Sequence, residues 1–463
     1  MDFVLEGGGP CLKRKLPSCD PLSTSRTRPT RFSEMSSASS PFVSNFWSAA
    51  DTEPPGHAAG LSKLRSWIRE TQEPVACNKR CTLAYAYHGG ALADVRRLAF
   101  ALMYALVNDC HLVGRWPMYK RGGSPFPKLS TLTTSPELRR RCYADERLGL
   151  HCYFRPISTC TLNETIAPEE HSDVNIDKRL ESDKVKPFRM DHTFFPHKFL
   201  DKIIARTGLH SEVLIMGTLI AWIMRPQPEL EQAIRFYGAA AGLDRPGARH
   251  RRVAVHVRHG DKHSLYSKHL KNESWRVSTE SFNNWARKVA ADIGAERAFL
   301  MSDDTSVVRT LTNGTDPFFD LVPAPLECLP TYKAGVFGQK RIPNAISYIK
   351  VLRSKTAGEV KDASALCGPS YMIDDGIQLF SGVVMLANSA AFVGTQISNI
   401  DAATVELMAT LRHPPTFFDV LNDMHRACLS DEQVWFGGIH KYNRKISADR
   451  LAKGDGTYTL GDC

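Results

Sequence analysis

Residues Arg251 to His269 read RRVAVHVRHGDKHSLYSKH, and the fold of the chain turns on how that stretch is parsed. Val253, Ala254, Val255, His256 and Val257 have the length and β-branched character of a strand buried on both faces of a parallel sheet. The run stops at Arg258, His259, Gly260, Asp261 and Lys262. In open α/β sheets, ligands sit just beyond the carboxyl ends of the strands, so polar residues at this point stand where chemistry is done. Gly260 permits a tight turn or a close approach of backbone to ligand. Arg258 offers a planar fork for phosphate oxygens, and Lys262 a mobile point charge. A structural ion pair between Arg258 and Asp261, closing the strand, accounts for the same spacing equally well.

The rest of the chain is long enough to support such a sheet. Its 463 residues allow two or three domains, and 43% hydrophobic with 23% charged residues is the composition of a soluble globular protein. The formal net charge of +10 is spread among acids, with no basic stripe interleaved with aromatics, so a nucleic-acid partner is not expected. A basic cleft for a phosphorylated small molecule fits the same charge. No apolar run in the sequence reaches transmembrane length, and the N-terminus carries its charges after a short apolar patch, unlike a signal peptide. Of twelve cysteines, Cys77, Cys81, Cys110, Cys142, Cys152 and Cys160 crowd one region. Cys77 and Cys81 are separated by three residues with no matching second pair, which points away from zinc and toward disulfides in an oxidising lumen. Sequons at Asn163, Asn272 and Asn313 agree with that compartment.

Taken in order, residues 1–76 read as a disordered or stem-like segment rich in Ser, Pro, Thr, Gly and Arg, with a short helix over Leu61 to Glu70. A first α/β domain is expected over 77–250, on the acceptor side of a cleft. It opens with a strand over Thr82 to Tyr87, the turn His88, Gly89, Gly90, a helix striped by Leu92, Val95, Ala99, Leu102 and Leu106, and a strand over Cys110 to Gly114. The glycine pair either turns the chain or lets backbone N–H groups face a phosphate. Ser211 caps a helix through Met224, and Pro228 opens the next one. A second, Rossmann-like domain spans 251–430, and 431–463 forms a tail packing back on the core. Within the second domain Ser278 or Thr279 caps a helix, and a strand over Arg297 to Met301 ends in Ser302, Asp303 and Asp304. Those acids either hold a ligand or cap the following helix, with capping the more frequent use for Asp304. Ile377 to Ala387 reads as a helix. A strand over Ala391 to Val393 ends in Gly394, Thr395, Gln396, Ile397 and Ser398, where hydroxyls suit a diphosphate or a cap. The sequence has no full Gly-x-Gly-x-x-Gly fingerprint and no Walker lysine loop, which argues against dehydrogenases and P-loop kinases.

The segments IMRPQPELEQAI and VAVHVRHGDK, together with CNKRC, FRPISTC, FLMSDD, FVGTQISN and VWFGG, resemble the α1,6-fucosyltransferase family over roughly Cys77 to Asn443. The resemblance implies an α/β fold of two domains, a GT-B variant with a Rossmann-like nucleotide-sugar domain. It implies GDP-fucose as donor, a glycan acceptor, an inverting transfer without a metal ion, and the Golgi or secretory lumen. Matched onto this chain, Arg258 and Lys262 would act on the leaving diphosphate. His256, His259, Asp261, Asp303, Asp304, Thr395, Ser398 and the turn His88, Gly89, Gly90 would line the donor. The sequence also departs from the family. His259 stands where the family has a second arginine, and Tyr266 where it places a glutamate that is a candidate base. Glu273, His263 and His269 are alternatives for that base. The family's aspartate on the helix before FVGT has no clear match, Asp374 and Asp375 lying too far upstream.

Overall fold

The computed structural model describes residues 56–75, 77, 82–86, 91–115, 133, 135–145, 149–160, 185–188, 197–243, 251–258, 277–312, 318–323, 368–395, 398–411, 416–420 and 426–428. Two sheets organise these residues. The first has strands β1 (Thr82–Ala86), β2 (His111–Arg115) and β3 (Val185–Phe188), all parallel, with β1 in the centre. The same part of the chain forms helices α1 (Ala58–Gln72), α2 (Ala91–Asn108), α3 (Pro136–Ala144), α4 (His197–Thr207), α5 (Glu212–Ile223) and α6 (Pro228–Ala240). The helix expected over Leu61 to Glu70 is α1, and it buries Leu61, Leu64, Trp67 and Ile68. Packed structure therefore reaches upstream of Cys77.

The second sheet has six strands in the order β6 (Phe319–Leu321), β5 (Arg297–Ser302), β4 (Arg252–Val257), β7 (Ala391–Gly394), β8 (Thr416–Asp419), β9 (Arg426–Cys428). Every pairing is parallel except β8 with β9. This is a doubly wound sheet. The chain winds outward from β4 through β5 to β6, then crosses to β7 on the other side of β4. The β4/β7 boundary is the topological switch point, and in such sheets ligands bind just beyond the strand ends at that boundary.

The strand expected from the opening stretch is β4, and from Val253 onward each of its residues is buried. Its two faces meet different partners. Val253, Val255 and Val257 pack with Phe282, Ala286 and Val289 of α7 (Thr279–Ile293) and with Val307 and Leu311 of α8 (Thr305–Thr312). Ala254 joins a larger core shared with α9 (Asp375–Ala387) and α10 (Asn399–Leu411). That larger core also takes in α2, α5 and α6, so the helices of the two sheets share one apolar interior. Gly217 of α5 makes the closest approach. A Cβ there would lie 1.9 Å from the Glu406 carbonyl oxygen, so only glycine lets α5 and α10 come so near.

Local chemistry sets the helix ends. Ser211 accepts from Leu214 N at 3.4 Å, Ser278 accepts from Ser281 N at 3.0 Å, and Pro228 occupies the first turn of α6. α7 stops at Gly294, which has φ 67°. Cys77 is bonded to Cys160 and Cys142 to Cys152, and Cys110 is disulfide-bonded as well, as the cysteine spacing led us to expect. Closing the 83-residue separation between Cys77 and Cys160 restricts the unfolded chain by roughly 4–5 kcal/mol in the loop-entropy account.

Candidate functional site

The carboxyl ends of β4, β5 and β7 come together at the switch point. β4 and β5 are tied there by Ser302, whose hydroxyl donates to Val257 O at 2.7 Å and accepts from Asp304 N at 3.1 Å. This places Arg258 beside Asp303, with Nη1 to Oδ2 at 4.0 Å. At 15% and 6% side-chain exposure the two groups are largely desolvated, and 4.0 Å is the outer limit of an ion pair. Asp304 is a helix cap. Its Oδ1 accepts from Ser306 N at 2.8 Å and from the Ser306 hydroxyl at 2.6 Å, and its carbonyl accepts from Val308 N at 3.2 Å. The capping use expected for Asp304 is therefore the one observed, while Asp303 faces the arginine.

On β4, His256 sits one residue before the strand end with its ring 1% exposed. Its Nδ1 is hydrogen-bonded to Asp401 Oδ1, 145 residues further along the chain. Nε2 is buried and has no hydrogen-bond partner among the described residues. Asp401 lies in the first turn of α10 and is itself fully buried. Its other oxygen, Oδ2, accepts from Thr395 N at 2.5 Å and from the Thr395 hydroxyl at 3.1 Å. One carboxylate thus joins the end of β4 to the end of β7. Gly394 makes room for it, since a Cβ there would fall 2.7 Å from Asp401 Oδ2 and 2.8 Å from the Phe392 ring.

Ser398 precedes α10, and its carbonyl accepts from Ala402 N at 2.9 Å. Its hydroxyl caps nothing. Ser398 Oγ is buried and has no partner among the described residues, so the capping reading of this position is not the observed one. The switch point therefore presents two buried polar atoms, His256 Nε2 and Ser398 Oγ, with hydrogen-bonding capacity to spare. His88, Gly89, Gly90, His259, Asp261 and Lys262 lie outside the described residues, as do Tyr266 and the candidate bases His263, His269 and Glu273.

Helices α2 and α10 are held together by a buried ion pair. Arg96 donates through Nε and Nη2 to the Glu406 carboxylate, at 3.1 and 2.9 Å for the shortest contacts, and through Nη1 to Asn399 Oδ1 at 3.3 Å. A second buried polar cluster surrounds Asp374. Asp374 Oδ1 caps α9 by accepting from Gly376 N at 3.0 Å and Ile377 N at 3.3 Å, and it also accepts from the Tyr153 hydroxyl at 3.0 Å. Its Oδ2 accepts from Ser135 N at 2.9 Å. Burial pushes the Asp374 carboxyl up to about 6 despite those donors, and burial together with the neighbouring Asp374 charge pushes the Tyr153 phenol well above its usual value.

Sequence reasoning missed Asp401, Arg96 and Glu406. The only local signal for Asp401 is an acid in the first turn of a helix, which ordinarily reads as a favourable dipole contact. Among the described residues no group of His, Cys, Asp and Glu is arranged to hold a metal ion. No single described helix is long and apolar enough to cross a membrane; α4 and α5 pass the test only as a pair bent by 91°.

Fold and site together define a doubly wound α/β protein with polar residues gathered at the strand ends of its switch point. No family model matches the chain, and no curated protein matches its sequence. Among solved structures it is similar to POFUT1 in complex with GDP, with 12% identity and a TM-score of 0.36 over 74% of this chain and 98% of that one. It is similar to a variant of Arabidopsis thaliana FUT1 in complex with GDP, with 9% identity and a TM-score of 0.38 over 82% and 78%. It is also similar to NodZ α1,6-fucosyltransferase co-crystallised with GDP, with 14% identity and a TM-score of 0.36 over 74% and 95%. Likenesses at this level assign no residue a role.

Proposed function

We propose that this chain is a glycosyltransferase that moves fucose from GDP-fucose to a glycan hydroxyl, in α1,6 linkage to the core N-acetylglucosamine of N-glycans. The observation that carries this reading is the convergence of His256, Arg258, Asp303, Thr395 and Ser398 on one switch point, in the positions that the resembling motifs give to the donor site. Arg258 and Lys262 stabilise the charge that accumulates on the diphosphate as the bond from the sugar C1 to the β-phosphate oxygen breaks. His256, His259, Asp261, Asp303, Thr395 and Ser398 bind the donor, as do His88, Gly89 and Gly90 by the resembling motifs. Asp304, matched to the donor side by the same motifs, is occupied as the cap of α8. The acceptor hydroxyl attacks C1 from the opposite face and passes its proton to a base among Glu273, His263 and His269, which inverts the anomeric centre. No metal is needed where cationic side chains neutralise the leaving group. The division at about residue 250 separates the acceptor side from the donor side. The disulfides at Cys77, Cys110 and Cys142 support an oxidising lumen of the secretory pathway as the place of action.

One observation favours a second reading. Tyr266 stands where the resembling family carries a glutamate, and a protein that keeps the nucleotide crevice without a base binds GDP or a glycan without transfer. Incubation with GDP-fucose and N-glycans, followed by mass spectrometry, separates the two. The expected result is a gain of one deoxyhexose, reduced about 10²–10³-fold in Arg258→Ala. GDP binding without product selects the binding-only reading, and undiminished turnover in Arg258→Ala refutes the assigned site.

A further inference from the structure

The mechanism just described leaves one fully buried group at the crevice unused, the Asp401 carboxylate. We infer that Asp401 is a positioning residue of the nucleotide site: it holds the His256 ring with the proton on Nδ1, so that Nε2 presents a lone pair that accepts from a hydroxyl or N–H donor of the bound nucleoside diphosphate, not from its phosphate oxygens. The inference rests on the reading of the switch point as a nucleotide crevice.

Three observations converge on it. His256 Nδ1 is bonded to Asp401 Oδ1, and the inference gives the proton of that bond to the ring, with the carboxylate oxygen accepting. Nε2 is buried with no partner among the described residues, a costly arrangement for a nitrogen near the end of a strand at the switch point unless something completes it. The second oxygen of the same carboxylate is engaged by both the N–H and the hydroxyl of Thr395. The ring and the β7 end are therefore set by one group, and neither can shift without the other.

The arrangement specifies what an amide would do in its place. Thr395 presents two donors, so the Asn oxygen must face Thr395 and the Asn NH₂ must face His256 Nδ1. Nδ1 then becomes an acceptor and the ring proton moves to Nε2. A carboxamide of nearly the same shape thereby reverses the hydrogen-bonding sense of the nitrogen reserved for the ligand, which a purely structural role would not predict.

The test is long-range ¹H–¹⁵N correlation of the imidazole nitrogens in the full chain, combined with calorimetric titration of GDP and a melting curve. In the ligand-free wild type the expected state of His256 carries its proton on Nδ1, and in Asp401→Asn the proton lies on Nε2. GDP affinity falls about 10–100-fold in that variant, with the melting temperature shifted by only a few degrees. A wild-type ring with its proton on Nε2 alone overturns the inference, and so does an Asp401→Asn protein with unchanged tautomer and unchanged GDP affinity. The wild-type spectrum decides the matter even if Asp401→Asn fails to fold, because it needs no variant. If the wild type binds no GDP, the nucleotide reading has failed and the ligand half of this inference falls with it, while the position of the ring proton still decides whether Asp401 sets the tautomer.

Discussion

Asp374 and Asp401 are both fully buried, and both accept from backbone N–H groups and a side-chain hydroxyl, yet they stand in opposite situations. Around Asp374 each of those donors is internal to the fold, and the cluster closes on itself through Tyr153 and Thr133. Around Asp401 the chain of bonds runs from Thr395 through the carboxylate to the imidazole and ends at Nε2, which meets no further partner among the described residues. A closed network holds a fold together; an open one leaves a buried polar atom that the described residues do not satisfy, which is what the proposed nucleotide reading would fill. The same side-chain type serves both ends because what differs is where its partners lead.

Perturbing the closed sites is expected to produce the largest effects. Glu406 is closed in the strongest sense, paired with the buried Arg96. Glu406→Ala leaves that guanidinium without its counter-charge and is expected to cost about 3–5 kcal/mol, read as a fall in the denaturation midpoint. A loss below about 1 kcal/mol would show that the α2–α10 junction is wet and the closed description wrong.

Asp374 comes next, through pH. Its folded carboxyl is raised from 3.8 to about 6, so the folded state binds the proton more tightly than the unfolded chain. Below the unfolded value both states are protonated and nothing is lost. As pH rises from about 4 to about 6 the unfolded chain ionises first, and stability falls by on the order of 3 kcal/mol from this group, then levels off. Denaturant titrations of wild type and Asp374→Asn across that window should show the wild-type advantage shrinking as pH rises. Parallel curves would remove Asp374 from the list of buried, desolvated acids.

The smallest effect belongs to a pair that is neither closed nor buried. Glu137 and Arg141 are one helical turn apart in α3, at 2.8 Å, with 29% and 49% side-chain exposure. Glu137→Gln is expected to move stability by less than about 0.5 kcal/mol. A larger change would mean that ion pairing on this surface is coupled to the interior.

Much of the architecture can be read from local patterns. The two-sided burial of β4, the caps at Ser211, Ser278 and Asp304, the Pro228 start and the helical stripe of α2 all follow from periodicity and capping chemistry within a few residues. The polar residues at the ends of β4, β5 and β7 were recognisable as site candidates for the same reason: a strand pattern stops and chemistry-bearing side chains begin. The hydroxyl of Ser398 went the other way. Its sequence position matched a helix cap, but its Oγ is not used as one.

Sequence alone therefore settled the local grammar around β1, β2, β4, β5 and β7 and the helices that follow them, including which polar residues stand at their ends, while β3, β6, β8, β9 and α3 had no reading in it. Only the tertiary structure decided that β4 neighbours β7, that His256 meets Asp401 across 145 residues, and that Arg96 meets Glu406 across 310. The physical reason is range. Backbone propensity, side-chain period and capping act over one or two turns of chain, whereas strand order and helix docking are set by burying both faces of a sheet at once, and a pairing between distant residues exists only after that burial has chosen the neighbours.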